Sequence, residues 1–186
     1  MSEIADGHKD GVAANEGEMT VSPEDVLAGK VDPCAERPEP YHYTMCGLDD
    51  VYLINGVHDV STAYGPSVII HDIDGLHQAI AQDLARNKKA LNGKEMRFLR
   101  KQMDLTQLEL SYLLSVSDQS IARWEKGEVD VSGPAELSMR ALYLSHDEGK
   151  IDAVALAKHI KELSETEPQS RLFEDGCEGW RLAEAA

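Results

Sequence analysis

Cysteine is scarce: Cys34, Cys46 and Cys177 lie far apart in 186 residues, and no Cys-x-x-Cys occurs. That spacing offers neither a zinc knuckle nor a disulfide framework. No apolar run approaches bilayer length, and the amino terminus lacks the apolar stretch of a secretory signal, so the expected setting is a reducing cytoplasm, with no membrane partner. No internal repeat and no glycine-rich phosphate loop is present. Seven histidines and three cysteines assemble no nucleophile, base and orienting residue in the sequence. His42 and Cys46 lie four apart, and His71 and His77 flank a helix start. His42 reads better as an aromatic-strand residue and Cys46 as apolar filler. No catalytic residue, no metal and no cofactor is expected.

Positive charge is also short, with 18 Lys and Arg against 34 Asp and Glu, a net charge of −16. The distribution matters more than the sum. Residues 86–126 hold nine basic and five acidic side chains, a local +4, and the remainder carries −20. A cationic island in an acidic chain suits a confined phosphate-binding face, with acidic flanks that suppress indiscriminate attachment.

Residues 1–40 carry ten acidic and three basic side chains, with scattered Gly and Pro. Little apolar surface is available there to offset ordering entropy, so a disordered acidic arm is expected, with at most a helical turn over Val21–Leu27 behind Ser22-Pro23. A β/α module over 41–90 follows, for dimerisation or partner binding. Val51-Tyr52-Leu53-Ile54 and Ser67-Val68-Ile69-Ile70-His71 are its strand candidates, separated by turns at Asn55-Gly56 and Tyr64-Gly65-Pro66. Asp74 is the expected cap of a helix reaching about Lys88, with Leu76, Ile80 and Leu84 on one face. A two-stranded hairpin is marginal alone, so that helix or a second subunit has to cover it.

The next domain spans 91–146. Asn92 and Glu95 form a capping box, and Met96, Leu99 and Met103 face inward from its first helix. Over Thr106–Gly127, Leu108, Leu110, Leu113 and Leu114 and then Ile121 and Trp124 follow helical spacing, broken by a tight turn at Leu114-Ser115-Val116-Ser117. Thr106 with Glu109 starts one helix and Ser117 caps the next. Such a pair is a helix-turn-helix unit, whose second helix can enter a DNA major groove. Gly127 suits the left-handed end of that helix, and Pro134 suits the start of another, with Leu137, Ala141 and Leu144 closing the core. An amphipathic helix over 147–164 (Ile151, Val154, Leu156, Ile160, Leu163) serves either as a fifth core helix or as a dimer contact. The acidic tail, 165–186, carries Leu172, Phe173 and Trp180, anchors for a partner or for the β-module itself. The fold class is therefore α+β: a small N-terminal antiparallel β-module with its helix, then a five-helix all-α domain.

With Ile121 and Trp124 turned inward, Ser117, Asp118, Gln119, Ser120 and Arg123 face the groove. Gln119 and Arg123 are four apart and share a face. Glutamine pairs bidentately with adenine and arginine with guanine. Asp118 either caps the helix or accepts from a cytosine amine.

Thr106-Gln107, Glu109-Leu110, Val116-Ser117 and Arg123-Trp124-Glu125-Lys126-Gly127 closely resemble the Xre/Cro family of DNA-binding domains, over about Asn92 to Leu144. The resemblance implies that Gln119 and Arg123, with Ser120 and Asp118 beside them, read bases. It also implies that Gln107 holds a phosphate at its helix N-terminus, with Thr106, Ser117, Lys126, Arg97 and Lys101 as further backbone contacts, and it makes Arg100 and Glu125 a buried structural ion pair. A weaker resemblance, carried by Gly47-Leu48-Asp49-Asp50-Val51-Tyr52-Leu53 and Arg97-Phe98-Leu99-Arg100-Lys101, is to the MqsA-type group of antitoxin-like regulators. This chain lacks the zinc-binding cysteines of that group, and only Cys46-Gly47 remains. Two readings follow. One is a homodimeric, nucleoid-associated regulator, most simply a repressor, on a palindromic duplex DNA operator. The alternative is an antitoxin that binds a protein toxin and represses its own operon.

Overall fold

The computed structural model describes residues 21–32, 34–35, 37–149, 152–163, 170–176 and 178–183. Two compact units are present. In the first, Ser22 caps the short helix α1 (Pro23–Leu27) by accepting from the Glu24 N–H. Val21 forms a parallel bridge with Val60, its N–H donating to the Asp59 carbonyl. Strands β3 (Val57–Thr62) and β4 (Gly65–Ile70) form a two-stranded hairpin, most of which belongs to this unit. Within the stretch expected to lack structure, α1 is thus ordered, while residues 1–20 lie outside the described residues.

The second unit holds β1 (Tyr41–His42), β2 (Val51–Leu53), β5 (Arg171–Gly176) and β6 (Gly179–Leu182), in the order β1-β2-β5-β6. The two strand candidates from the sequence do not pair with each other. Val51–Leu53 lies in this four-stranded sheet, and β4 pairs with β3. Strand β3 carries only a weak period-two signal in the sequence, since Val57-His58-Asp59-Val60-Ser61-Thr62 has just two aliphatic residues. The pairing of β2 with β5 is parallel, placing Val51 opposite Arg171 and Leu53 opposite Phe173. Parallel neighbours need a long crossover, and here the entire helical region supplies it. The acidic tail therefore closes the sheet: Val51, Leu53 and Phe173 are fully buried and Trp180 nearly so.

Helix α2 (Ile73–Arg86) buries Leu76, Ile80 and Leu84 with Ala81 and Ala85. Its cap is Asp72, in the left-handed region with φ 41°, and its side chain accepts from the Gly75 N–H. Asp74, the expected cap, sits in the first turn, because the helix starts immediately after Asp72. This helix packs on the sheet and on α3 (Gly93–Gln102) and α6 (Gly133–Glu148). On α6 the buried side chains are Ala135, Met139, Arg140, Tyr143 and Leu144. Leu137 and Ala141, expected to close the core, are half-buried. Arg140 is fully buried: its Nη1 donates to the carbonyls of Leu84 and Ala85, and Nε and Nη2 donate to Glu136. A guanidinium from α6 thus satisfies the orphan carbonyls near the end of α2. Helix α7 (Ala153–Glu162), capped by Asp152, packs on α2 and α6, and Lys89 Nζ donates to the carbonyls of Lys161 and Leu163.

A second buried guanidinium joins sheet to helices. Arg171, 5% exposed, donates through Nη2 to both oxygens of Asp50 and to Glu95 Oε1, and Asp83 lies 3.7 Å from its Nη1. Lys88 Nζ reaches the same Glu95 oxygen at 3.1 Å. Burial alone lowers the basicity of Arg171, but the hydrogen bonds and charge of Asp50, with Glu95 and Asp83, outweigh it and raise its pKa. Burial pushes the Asp83 carboxyl up, opposed by the Asn87 hydrogen bond and the nearby cations. Among the described residues, no helix is long and apolar enough to cross a membrane.

Candidate nucleic-acid interface

Three helices build the site: α3, α4 (Gln107–Leu114) and α5 (Asp118–Glu125). Both capping boxes are present. Asn92 accepts from the Glu95 N–H and Thr106 from the Glu109 N–H, while each glutamate accepts in return from its cap's N–H. Ser117 caps α5 by accepting from the Ser120 N–H. Between α4 and α5 the chain reverses at Ser115, whose φ is 55°, and the Val116 N–H donates to the Ser111 carbonyl.

The four leucines of α4 do not share one face. Leu110 is fully buried and Leu114 half-buried, four residues apart on the inner side. Leu108 is 52% and Leu113 54% exposed, as is Tyr112 at 73%. At 100° per residue Leu108 falls on the side opposite Leu110, so the 108-110-113-114 spacing cannot align four side chains.

On α5, Ile121, Trp124 and Glu125 are buried, and Asp118, Gln119 and Arg123 are exposed. Three contacts fix this orientation. The Glu125 carboxylate accepts from Arg100 Nε at 2.6 Å and Nη2 at 2.9 Å, while Arg100 Nη1 donates to the Leu105 carbonyl. Gln107 adds a donor to Glu125 Oε2 at 2.9 Å. Burial pushes the Glu125 carboxyl up, but the Arg100 and Gln107 hydrogen bonds and the Arg100 and Arg97 charges more than reverse it, leaving its pKa below the ordinary value. The third contact is backbone: a Cβ on Gly93 would stand 1.8 Å from the Trp124 carbonyl oxygen. Only glycine lets the start of α3 approach the end of α5 so closely.

Helix α5 ends in a Schellman turn. Gly127 has φ 70°, and the Glu128 N–H donates to the Arg123 carbonyl at 2.9 Å. This folds Glu128 back along the helix. Its Oε2 lies 3.5 Å from Arg123 Nε and its Oε1 3.9 Å from Lys126 Nζ.

The structure places the other site residues as follows. Asp118 Oδ1 accepts from the Gln119 N–H at the helix start. Ser120 is half-buried, its Oγ bonded to Ser117 Oγ. The Thr106 hydroxyl donates to Glu109. The Gln107 amide is engaged by Glu125 rather than aimed outward. Arg97 and Lys126 are exposed beside a cavity of about 300 Å³, which Arg100, Gln107, Ala122 and Glu125 also line. Lys101 is exposed on α3.

Glu128, Arg140 and Arg171 were not anticipated as partners. Glu128 had a readable signal, since a residue just after a helix-ending glycine returns to the residue five before it. Arg171 had none, because its partners lie up to 121 residues away.

The histidines and cysteines do not cluster: among the described residues, no group of three or more His, Cys, Asp or Glu could hold a metal ion. His42 stacks on Tyr52 with ring centroids 4.6 Å apart, and Cys46 Sγ donates to the Tyr43 carbonyl. The Tyr43 hydroxyl meets His77 Nε2 at 2.7 Å. Burial, helped by nearby Cys46 and Tyr41, pushes the Tyr43 hydroxyl up to about 12. Burial also lowers the His77 pKa.

No curated protein and no solved structure matches the chain. Residues 96–134, which run from α3 through both helices of the pair to the start of α6, match the family model described as Helix-turn-helix, so the chain carries an Xre/Cro-type helix-turn-helix domain and this supports a DNA-binding transcription regulator.

Proposed function

We propose that this protein is a sequence-specific repressor that binds a palindromic DNA operator as a homodimer, with α5 in the major groove. The observation that carries the reading is the division of α5. Ile121, Trp124 and Glu125 lock one side into the domain, and Gln119 and Arg123 stand outward together on the other. An amide and a guanidinium side by side suit an adenine and a guanine edge, and Asp118 and Ser120 flank them. Arg97, Lys101 and Lys126 contact the phosphate backbone. The N–H groups at the starts of α4 and α5, beside Thr106, Gln107 and Ser117, hold phosphate oxygens. Because Gln107 donates to Glu125, its contribution comes through the backbone N–H and through holding α4 against α5. One domain covers half an operator, so two copies place their α5 helices about 34 Å apart.

Mobility shifts on duplexes from the protein's own promoter region test this. The wild type gives a discrete complex that survives random competitor, and the Gln119→Ala, Arg123→Ala double variant loses that selectivity. Equal selectivity in both proteins overturns the readout. The outward apolar side chains of α4, Leu108, Tyr112 and Leu113, favour a second reading, in which a protein partner such as a toxin docks there. Co-purification of a small neighbouring gene product, abolished by Leu108→Ser and Tyr112→Ser, marks that reading.

A further inference from the structure

We propose that Glu128 is a specificity-determining residue, one that orients the Arg123 guanidinium for base recognition and keeps it off the phosphate backbone. The inference rests on the proposed reading of Arg123 as a base contact, and it names a residue outside the recognition helix that governs that contact. Three observations converge on it. The Schellman hydrogen bond from the Glu128 N–H to the Arg123 carbonyl, 2.9 Å, fixes one residue's backbone on the other's. Gly127, at φ 70°, makes this return possible. The Glu128 carboxylate then lies beside Nε, the inner guanidinium nitrogen, at 3.5 Å, which leaves the outer amino groups to form the two parallel bonds that guanine O6 and N7 accept. Its other oxygen faces Lys126 at 3.9 Å, so one carboxylate stands between a base reader and a phosphate contact.

All three side chains are half or more exposed, so these pairs add little to stability. Their consequence is conformational. An unrestrained arginine side chain has several rotatable bonds and reaches phosphate as readily as a base. A carboxylate beside Nε restricts the side chain and repels phosphate at the same point. Specificity is therefore gained partly by an element that disfavours the wrong contact.

The test uses the full-length protein and a duplex selected by the wild type. Arg123→Ala first identifies the base pair at which preference is lost. Affinity is then measured for the selected duplex, for the duplex changed at that base pair and for random DNA, with Glu128→Ala and Glu128→Gln. Both variants remove a negative charge, so both bind random DNA several-fold more tightly. Glu128→Ala lowers the preference at the Arg123 base pair by about fivefold, a fraction of what one bidentate contact supplies. Glu128→Gln, which keeps the side-chain length but not the charge that pairs with Nε, lowers it by a similar factor. In an Arg123→Ala background neither variant changes it further. An unchanged preference in Glu128→Ala, or the same loss with Arg123 already absent, overturns the proposal while leaving the base-reading role of Arg123 intact. A wild type without sequence preference, or an Arg123→Ala variant that retains it, overturns the reading of Arg123 and this inference with it.

Discussion

Arg100 and Arg171 are both buried guanidiniums held by carboxylates, yet they organise the molecule at different ranges. Arg100 and Glu125 lie 25 residues apart, inside the helix-turn-helix domain, with Gln107 as a third member. Arg171 reaches back 121 residues to Asp50 and 76 to Glu95, tying the last strands to the sheet and to the start of α3. The first site sets the angle of α5. The second makes the carboxyl-terminal hairpin part of the scaffold on which α5 stands. Glu95 joins Arg171 to α3, the helix that also carries Arg100: one oxygen closes the capping box of α3 and the other accepts from Arg171. The difference teaches that a local motif can be recognised from spacing, whereas the support beneath it is built by chain topology.

This contrast explains what the sequence made legible. The caps at Asn92, Thr106 and Ser117, the inward Ile121 and Trp124 and the left-handed Gly127 all follow from side-chain chemistry within one or two turns. The α+β class followed too. The parallel pairing of β2 with β5 did not, because Arg171-Leu172-Phe173-Glu174 looks like a short stretch of an acidic tail until a distant strand stands beside it. The burial of Arg140 was equally hidden, since its acceptors are the carbonyls of a helix some 55 residues earlier. On α4, a run of leucines suggested one apolar face, but eight residues spread them around the helix.

The largest expected effect comes from removing Arg171. Arg171→Ala removes the guanidinium that Asp50, Glu95 and Asp83 share, leaving Glu95 only Lys88 and its cap and Asp83 only Asn87, and urea unfolding shows a loss of about 5 kcal/mol. A loss below about 1 kcal/mol would mean that the hairpin is not part of the scaffold. Arg100→Ala costs less, about 3 kcal/mol, because one carboxylate rather than three loses its guanidinium. Replacing both partners, as Arg100→Met with Glu125→Leu, recovers most of that loss, since an apolar pair strands no charge.

Acid separates the two regions as well, because Glu125 in the first and Asp83 in the second have pKa values displaced in opposite directions. Glu125 has a lowered pKa in the folded chain, so its contribution is complete above the ordinary carboxylate value of about 4.3 and fades as pH falls through its lower folded value. Asp83 has a raised pKa, so its ionised form opposes folding at neutral pH, and that cost is relieved as pH falls through the raised value. Stability measured against pH therefore loses part of its acid-limb slope below about pH 4.3 in Glu125→Gln. In Asp83→Asn the change appears above that pH instead. Identical profiles for both variants would remove the distinction between the sites.

Smaller still is the cap. Ser117→Ala deprives the Ser120 N–H of its acceptor and costs about 1 kcal/mol, read as a shift in the denaturation midpoint. Arg123→Ala, on the exposed side of α5, changes stability by no more than about 0.5 kcal/mol.

That last variant also gives the most direct test of the central claim, that the outer side of α5 reads DNA sequence from a rigidly held helix. Wild type and Arg123→Ala are each used to select binders from a random duplex pool. The expected result is a twofold-symmetric sequence enriched by the wild type, with preference lost at one base pair in each half-site for the variant, while both proteins unfold at the same denaturant concentration. Enrichment of the same sequence by both proteins, or of none by the wild type, would contradict the account.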